Sequence, residues 1–105
     1  VLDHYQYFDS MMPALLQKLD HYNAVVRDLA YDNIQEIIKD ANHTREARIV
    51  FNKLRKMFFL SHNRLGNVQT PDLKLKQKLN LTRWAIKVLG TQELKRLPSE
   101  VISLL

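Results

Sequence analysis

Residues 44–63 read TREARIVFNKLRKMFFLSHN, and this stretch says most about the fold. Its apolar residues recur at helical spacing, which predicts an amphipathic helix from Thr44 to about Asn63. Thr44 is a favourable N-terminal cap, and Glu46 suits the positive end of the helix dipole. We expect one face of this helix to be buried, and its members are Ala47, Val50, Phe51, Leu54, Met57 and Phe58.

The other face of this helix is basic and carries an aromatic residue. Its members step alternately by three and four and therefore share one side, and they are Arg45, Arg48, Asn52, Arg55, Phe59 and His62. A row of arginines can hold carboxylates or phosphates, and an aromatic ring beside it can fill a partner's pocket or stack on a base. The pattern predicts a partner-binding site formed by Arg45, Arg48, Arg55, Lys56, Phe59 and His62. A solvated face with internal ion pairs is the alternative.

Residues 14–41 carry a second helical stripe. Its apolar positions alternate steps of four and three, as in a seam packed against another helix, and they are Leu15, Leu19, Tyr22, Val26 and Leu29. We place Leu29 in the core. One helix of about 28 residues fits the stripe, and so does a break at which Asp20 or Asn23 caps a second helix. An opening helix is expected to end before a cap at Asp9 or Ser10, with Pro13 in the first turn of the next helix.

The C-terminal part of the chain contains clear start and stop signals. Thr70-Pro71-Asp72 combines a cap, a proline at the first helical position and an acid in the first turn, which predicts a helix start. This helix should reach Leu89 and stop at Gly90. A short segment from Thr91 to Arg96 should follow and end before Pro98, because the residue before a proline avoids the α region. One last helical turn is expected after it.

The low content of turn residues decides the fold class. Two glycines and three prolines in 105 residues are too few for an all-β protein. We therefore predict an all-α fold, a compact bundle of five to six helices that are mostly antiparallel. Residues 1–105 are expected to form a single helical domain. Since the chain begins at Val1 and ends in an apolar tail, we also expect it to be excised from a longer protein.

Charge is distributed unevenly along the chain. Residues 1–42 hold three basic and seven acidic residues, a net charge of −4, whereas residues 43–105 hold 13 basic and four acidic residues, a net charge of +9. This asymmetry favours an acidic or polyanionic partner for the second half, or attraction between the two halves. A second basic group lies on the predicted C-terminal helix and provides an alternative, nucleic-acid-binding surface, or an ordinary lysine-rich exterior: Lys74, Lys76, Lys78, Arg83 and Lys87.

Several classes of chemistry find no support in the sequence. The absence of cysteine excludes disulfides, thiolate catalysis and cysteine-ligated zinc. The four histidines match no metal-binding spacing, and the two glycines cannot form a phosphate-binding loop. We therefore predict no catalytic residues, no metal site and no cofactor, hence no enzyme. No apolar run approaches the roughly 20 residues that a membrane-spanning helix needs.

These observations lead to one expected function and two alternatives. We expect a protein–protein interaction module of a larger intracellular, nuclear protein associated with transcription or RNA processing. It would dock an acidic or amphipathic partner segment on the basic and aromatic helix face. One alternative is direct RNA or DNA binding through the basic C-terminal half, directed mainly at the nucleic-acid backbone. The other is a structural subunit domain of a multi-protein complex. The oligomeric state does not follow from the sequence.

Overall fold

A computed structural model of the chain describes residues 4–39, 44–62 and 72–105, and side chains at 11–39, 44–60 and 72–105. Throughout these ranges the regular structure is helical and no strand occurs, which confirms the all-α prediction. The α-helices are α1 (His4–Gln17), α2 (Ala24–Ile38), α3 (Thr44–His62), α4 (Leu75–Leu89) and α5 (Ser99–Ile102), and the 3₁₀ helices are η1 (Lys18–Asp20) and η2 (Thr91–Arg96).

The described residues group into two compact units. Unit 1 lies within Val1–Asn42 and Thr70–Leu73, and unit 2 lies within His43–Gln69 and Lys74–Leu105. In unit 1, α1, η1 and α2 pack on one another, whereas in unit 2 the most extensive packing joins α3 and α4. The prediction that residues 1–105 form a single domain stays a prediction.

The stripe over residues 14–41 is interrupted, so the alternative with two helices is correct. Residues 21–23 are not helical, and Asn23 has an extended backbone, with φ −90° and ψ 121°. The Asn23 side chain accepts a hydrogen bond from the Val25 N–H at 2.9 Å. This bond satisfies one of the N–H groups that lack a partner at a helix start. Asn23 therefore caps α2, as one of the two alternatives predicted.

The same interruption makes the predicted seam wrong beyond Leu19. A seam of alternating steps presumes one continuous helix, and the non-helical residues 21–23 change the direction in which the next helix presents its side chains. Tyr22 and Leu29, both assigned to the seam, are exposed, so the placement of Leu29 in the core is wrong. The residues that α2 buries are Ala30, Tyr31, Ile34 and Ile38.

At the N-terminal end, the predicted boundary near Ser10 is also wrong. The helix α1 continues from His4 to Gln17 and includes Pro13 in its interior. A proline there lacks the N–H that the helix needs and costs roughly 3 kcal/mol. Met12, Leu15 and Leu16 are all buried, and each such side chain stabilises the fold by about 1.5–3 kcal/mol. Burial on both sides of Pro13 thus outweighs the local signal for a boundary.

Helix α3 agrees closely with its prediction. It runs from Thr44 to His62, and all six side chains assigned to its inner face are buried. Arg48, near its start, contacts Glu93 just after the end of α4, whereas Phe58, near its end, lies 5.0 Å from the amino group of Lys78 in the first turns of α4. The two contacts show that α3 and α4 run antiparallel to each other.

The start of α4 lies later in the chain than Thr70-Pro71-Asp72 predicts. Asp72 to Lys74 are not helical, while Thr70 and Pro71 lie outside the described residues. The Asp72 carboxylate accepts a hydrogen bond from the N–H of Leu73 at 2.8 Å, and the Leu73 side chain is buried. At the actual start, the N–H of Lys74 donates to the Gln77 side chain at 3.1 Å. The predicted position is wrong because the chain buries Leu73 before it turns into the helix.

The end of α4 at Gly90 confirms the prediction and depends on the backbone of that residue. Gly90 has φ +114° and ψ 156°, a region that only glycine occupies readily. Its N–H donates to the carbonyl of Ile86 at 2.7 Å. Gly90 thereby ends α4 and lets η2 begin at the very next residue, so that Glu93 lies close to α3.

Gly90→Ala should lower the free energy of unfolding by about 1–3 kcal/mol, because alanine is strained at this φ and ψ. Urea unfolding of both proteins measures the change. A Cβ at residue 90 would also collide with the Gln92 side chain. The same substitution in a Gln92→Ala background separates the two causes, since a loss that disappears there comes from the clash and contradicts the backbone explanation.

Asn23→Ala should lower the free energy of unfolding by about 0.5–2 kcal/mol, because the first turn of α2 loses its side-chain acceptor. Asn23→Asp keeps an acceptor oxygen at the same position and should stay close to the wild type. Equal losses in both variants, measured by urea unfolding, would show that the cap does not stabilise α2.

Candidate functional site

A groove of about 770 Å³ opens along the exposed side of α3, within unit 2. Its lining residues are Arg48, Asn52, Arg55, Lys56, Phe59 and Leu60 of α3 and Arg96 of η2. Four of the predicted partner-binding residues, Arg48, Arg55, Lys56 and Phe59, thus line one concave surface. The helical spacing of α3 brings these together, and η2 contributes one further cation.

One buried carboxylate organises the cations at one side of this groove. Glu93, on η2, accepts two hydrogen bonds from Arg48, at 2.6 Å from Nη1 to Oε1 and 3.2 Å from Nη2 to Oε2. The Nε atom of Arg96 lies 3.5 Å from Oε1 of the same carboxylate. A fork of two parallel bonds sets the orientation of a guanidinium as well as its position. Glu93 therefore holds Arg48 of α3 and Arg96 of η2 at the same place.

The ion pair changes the acidity of both groups. The hydrogen bonds from Arg48 hold the pKa of Glu93 below its ordinary value, although burial of the carboxylate acts in the opposite direction. The positive charges of Arg48, Arg96 and Lys95 lower this pKa further. In return, the hydrogen bond to Glu93 raises the pKa of Arg48. Glu93 is thus charged at neutral pH and keeps both arginines in place.

The groove as a whole has a positive charge. Arg48, Arg55, Lys56 and Arg96 supply four positive charges, and Glu93 supplies one negative charge, which leaves +3. Within the described part of the chain, Arg55 and Lys56 have no hydrogen-bond or ion-pair partner. These two side chains can pair with an incoming anion without first breaking an internal contact.

Apolar side chains accompany the cations in this groove. The Phe59 side chain is 38% exposed and Leu60 is 68% exposed, and both belong to the lining. Covering large apolar side chains by a partner is favourable, and the free energy gained is about 25 cal/mol per Å² of apolar area removed from water. The groove therefore suits a ligand that is both acidic and apolar, rather than a small anion alone.

The other predicted partner-binding residues have different positions. Arg45 is exposed on the first turn of α3 and does not line the groove. His62 belongs to α3, but its side chain lies outside the described residues. The prediction that all six residues act together is therefore not tested for His62, and the groove does not extend to Arg45.

The basic residues of α4 do not share this groove. Lys74, Lys76, Arg83 and Lys87 are exposed, and none of them belongs to the groove lining. Lys78, which we assigned to the same nucleic-acid-binding surface, is buried with its amino group above the Phe58 ring. The Lys78 cation is thus used in packing against α3, and the assignment of these residues to nucleic-acid binding stays a prediction.

Three residues of the site were missed from the sequence: Leu60, Glu93 and Arg96. Leu60 lies outside the row of steps of three and four on which the prediction rested. One signal for Glu93 was present, because acidic residues are rare in the basic half of the chain and each must be near several cations. Glu46, the acidic residue of α3 itself, is buried, and its Oε2 has no hydrogen-bond partner among the described residues.

Three further findings concern metal binding, membrane-spanning helices and similarity to known proteins. Among the described residues, no group of three or more His, Asp or Glu side chains is placed to hold a metal ion. No helix in that part of the chain is long and apolar enough to cross a membrane. Comparisons of the chain with models of protein families, with curated proteins and with solved structures found no match.

The Glu93–Arg48 pair should make the stability of the protein depend on pH. Since the pKa of Glu93 is lowered by folding, the pair stabilises the fold fully above the ordinary glutamate pKa of about 4.3. This contribution is lost as the pH falls through the lowered pKa of the folded state. Urea unfolding of the wild type and of Glu93→Gln at neutral and acidic pH should show a difference in stability that shrinks in acid.

Arg48→Met removes the arginine of the ion pair. The free energy of unfolding of this variant should therefore change less between neutral and acidic pH than that of the wild type. A Glu93→Gln protein that keeps the full pH dependence of the wild type would contradict the assignment of this dependence to the ion pair.

Proposed function

We propose that this chain is a helical protein–protein interaction module, and that its basic groove docks an acidic, amphipathic segment of a partner protein. The observation that carries this proposal is the combination of four cations and two exposed apolar side chains in one groove. Charge attraction favours an acidic partner, and the apolar side chains favour one with an apolar face.

Each part of the groove has a role in this proposal. Arg48 and Arg96, held by Glu93, provide fixed N–H donors at one side, so little side-chain entropy is lost when they bind a carboxylate. Arg55 and Lys56 provide the unpaired charge. Phe59 is the apolar anchor, since buried aromatic and arginine side chains contribute most of the affinity at many interfaces.

A second candidate function is backbone-dominated binding of RNA or DNA. It is favoured by the exposed cations of α4, which are Lys74, Lys76, Arg83 and Lys87. These cations lie outside the groove, so nucleic acid would use a different surface from the acidic segment. A structural subunit domain in a larger complex is the third candidate. A nuclear location and a role in transcription or RNA processing belong to this proposal as well, on the strength of the basic charge.

The groove can be tested with Arg55→Glu plus Lys56→Glu, which reverses its two unpaired cations and leaves the Glu93 ion pair intact. The probe is a labelled synthetic helix with leucines at i, i+3 and i+7 and glutamates between them. Fluorescence anisotropy should show binding to the wild type and a loss of at least about tenfold in affinity for the double variant, because like charges now face each other.

The matched control is Lys76→Glu plus Lys87→Glu, which makes the same change of net charge on α4 outside the groove. This variant should bind the acidic helix within about twofold of the wild type, because neither lysine lines the groove and both are exposed, where solvent and about 0.1 M salt weaken the effect of their charge. Equal losses in both variants would mean that net charge, and not the groove, determines binding.

A labelled single-stranded RNA, titrated with the same three proteins, tests the second candidate. Binding that falls steeply with salt and is lost on reversal at Lys76 and Lys87 would favour nucleic acid over the acidic segment.

A further inference from the structure

The outward face of α2 has the chemistry that the groove requires of its ligand. We propose that α2 of one copy of this chain docks into the basic groove of a second copy, so that the chain associates with itself. This inference rests on the proposed function of the groove and names a second copy as one of its partners.

Three large apolar side chains are exposed at the beginning of α2 and just before it. Tyr22 is 82% exposed, Val25 is 63% exposed and Leu29 is 57% exposed. Val25 and Leu29 are four residues apart on α2 and share one face, a spacing that helices use when they lay an apolar face into a groove of another protein, and Tyr22 precedes the helix. The buried face of α2 is formed by other residues. A row of exposed apolar side chains on one helix face, as opposed to scattered ones, indicates an interaction surface.

Local contacts hold the first of these side chains in place. The Tyr22 ring stacks on the His21 ring, with 4.5 Å between the ring centroids. His21 is itself fixed, because its Nδ1 accepts a hydrogen bond from the N–H of Asn23 at 3.0 Å. Because Tyr22 is already ordered before binding, docking loses less side-chain entropy. The residues that break the chain between η1 and α2 thus also present an anchor.

Acidic residues continue the same face beyond the apolar row. Asp32 and Glu36 lie three and seven residues after Leu29, and both are exposed. The ion pair of Glu36 with Lys39 is 4.0 Å long and open to solvent, so Glu36 can exchange that partner at little cost. Along α2 this face is first apolar and then acidic. It therefore complements a groove with two apolar side chains and a net charge of +3.

The two surfaces also agree in length. Along α2, Val25 and Glu36 are about 17 Å apart, and along α3, Arg48 and Leu60 are about 18 Å apart, at 1.5 Å per residue. A helix laid along α3 with this face inward would place apolar and acidic residues over the whole groove.

The geometry of this contact is head to tail. The docking face lies in unit 1 and the groove in unit 2, so each copy in a pair uses a different surface. Such a heterologous contact leaves one docking face and one groove unoccupied, and further copies can add to them. Self-association should thus increase with concentration and fall with salt, because part of the attraction is electrostatic.

Two charge-reversed variants of the full chain provide the test. One carries Asp32→Lys and Glu36→Lys and retains the groove, and the other carries Arg55→Glu and Lys56→Glu and retains the α2 face. In analytical ultracentrifugation at about 0.1 M salt, the wild type should exceed its 12.4 kDa monomer mass. Each variant alone should associate at least about tenfold more weakly. An equimolar mixture should associate more strongly than either variant alone, because the intact face of one variant meets the intact groove of the other and the two reversed surfaces also have opposite charges.

The apolar row has its own test and control. Leu29→Ser should weaken self-association of the wild type, whereas Leu104→Ser, which removes an exposed leucine elsewhere, should not. A wild type that stays monomeric at every concentration, or a mixture of the two charge variants that does not pair, overturns the proposal. Binding of the synthetic acidic helix to the groove is measured separately, so the proposed function can hold while self-association fails.

Discussion

The carboxylate of Glu93 is the group on which the candidate site depends. A buried carboxylate must be paired, because leaving its charge without a partner in a poorly solvated position is costly. Arg48 satisfies it from α3, and Arg96 approaches it from the same 3₁₀ helix. This requirement joins η2 to α3 and brings a fourth cation to the groove. The positive Gly90 φ angle is part of the same arrangement, because it lets η2 start directly after α4.

Prediction from the sequence succeeded for features that depend only on residues close together in the sequence. The inner face of α3 and the stop at Gly90 were both correct, since helical periodicity and a glycine stop are local properties. Contacts between distant residues were not predicted. Arg48 and Glu93 are 45 residues apart, and no periodicity connects them. For the same reason the pattern on α3 identified Arg48, Arg55, Lys56 and Phe59 of the groove lining, whereas Leu60, Glu93 and Arg96 were missed.

The predictions for unit 1 show how one local feature changes a whole face. A seam over residues 15–29 fits the sequence well, and it would hide Leu29 in a core. The Asn23 cap interrupts the helix, and α2 then buries a face that begins at Ala30. Apolar side chains that periodicity assigns to the interior are thereby left on the surface. The sequence alone does not show that these apolar side chains are exposed, because the same residues at the same spacing also fit a buried seam.

The two proposed interactions of the groove exclude each other, and this has a consequence for assembly. A groove filled by α2 of a second copy is closed to a partner segment, and a bound partner segment closes it to a second copy. Head-to-tail contacts allow growth only while grooves remain open. A partner that fills the groove would therefore end a chain of copies as well as bind to it. The affinity of such a partner, measured at high protein concentration, would include the cost of displacing α2, so that its apparent value falls as self-association increases.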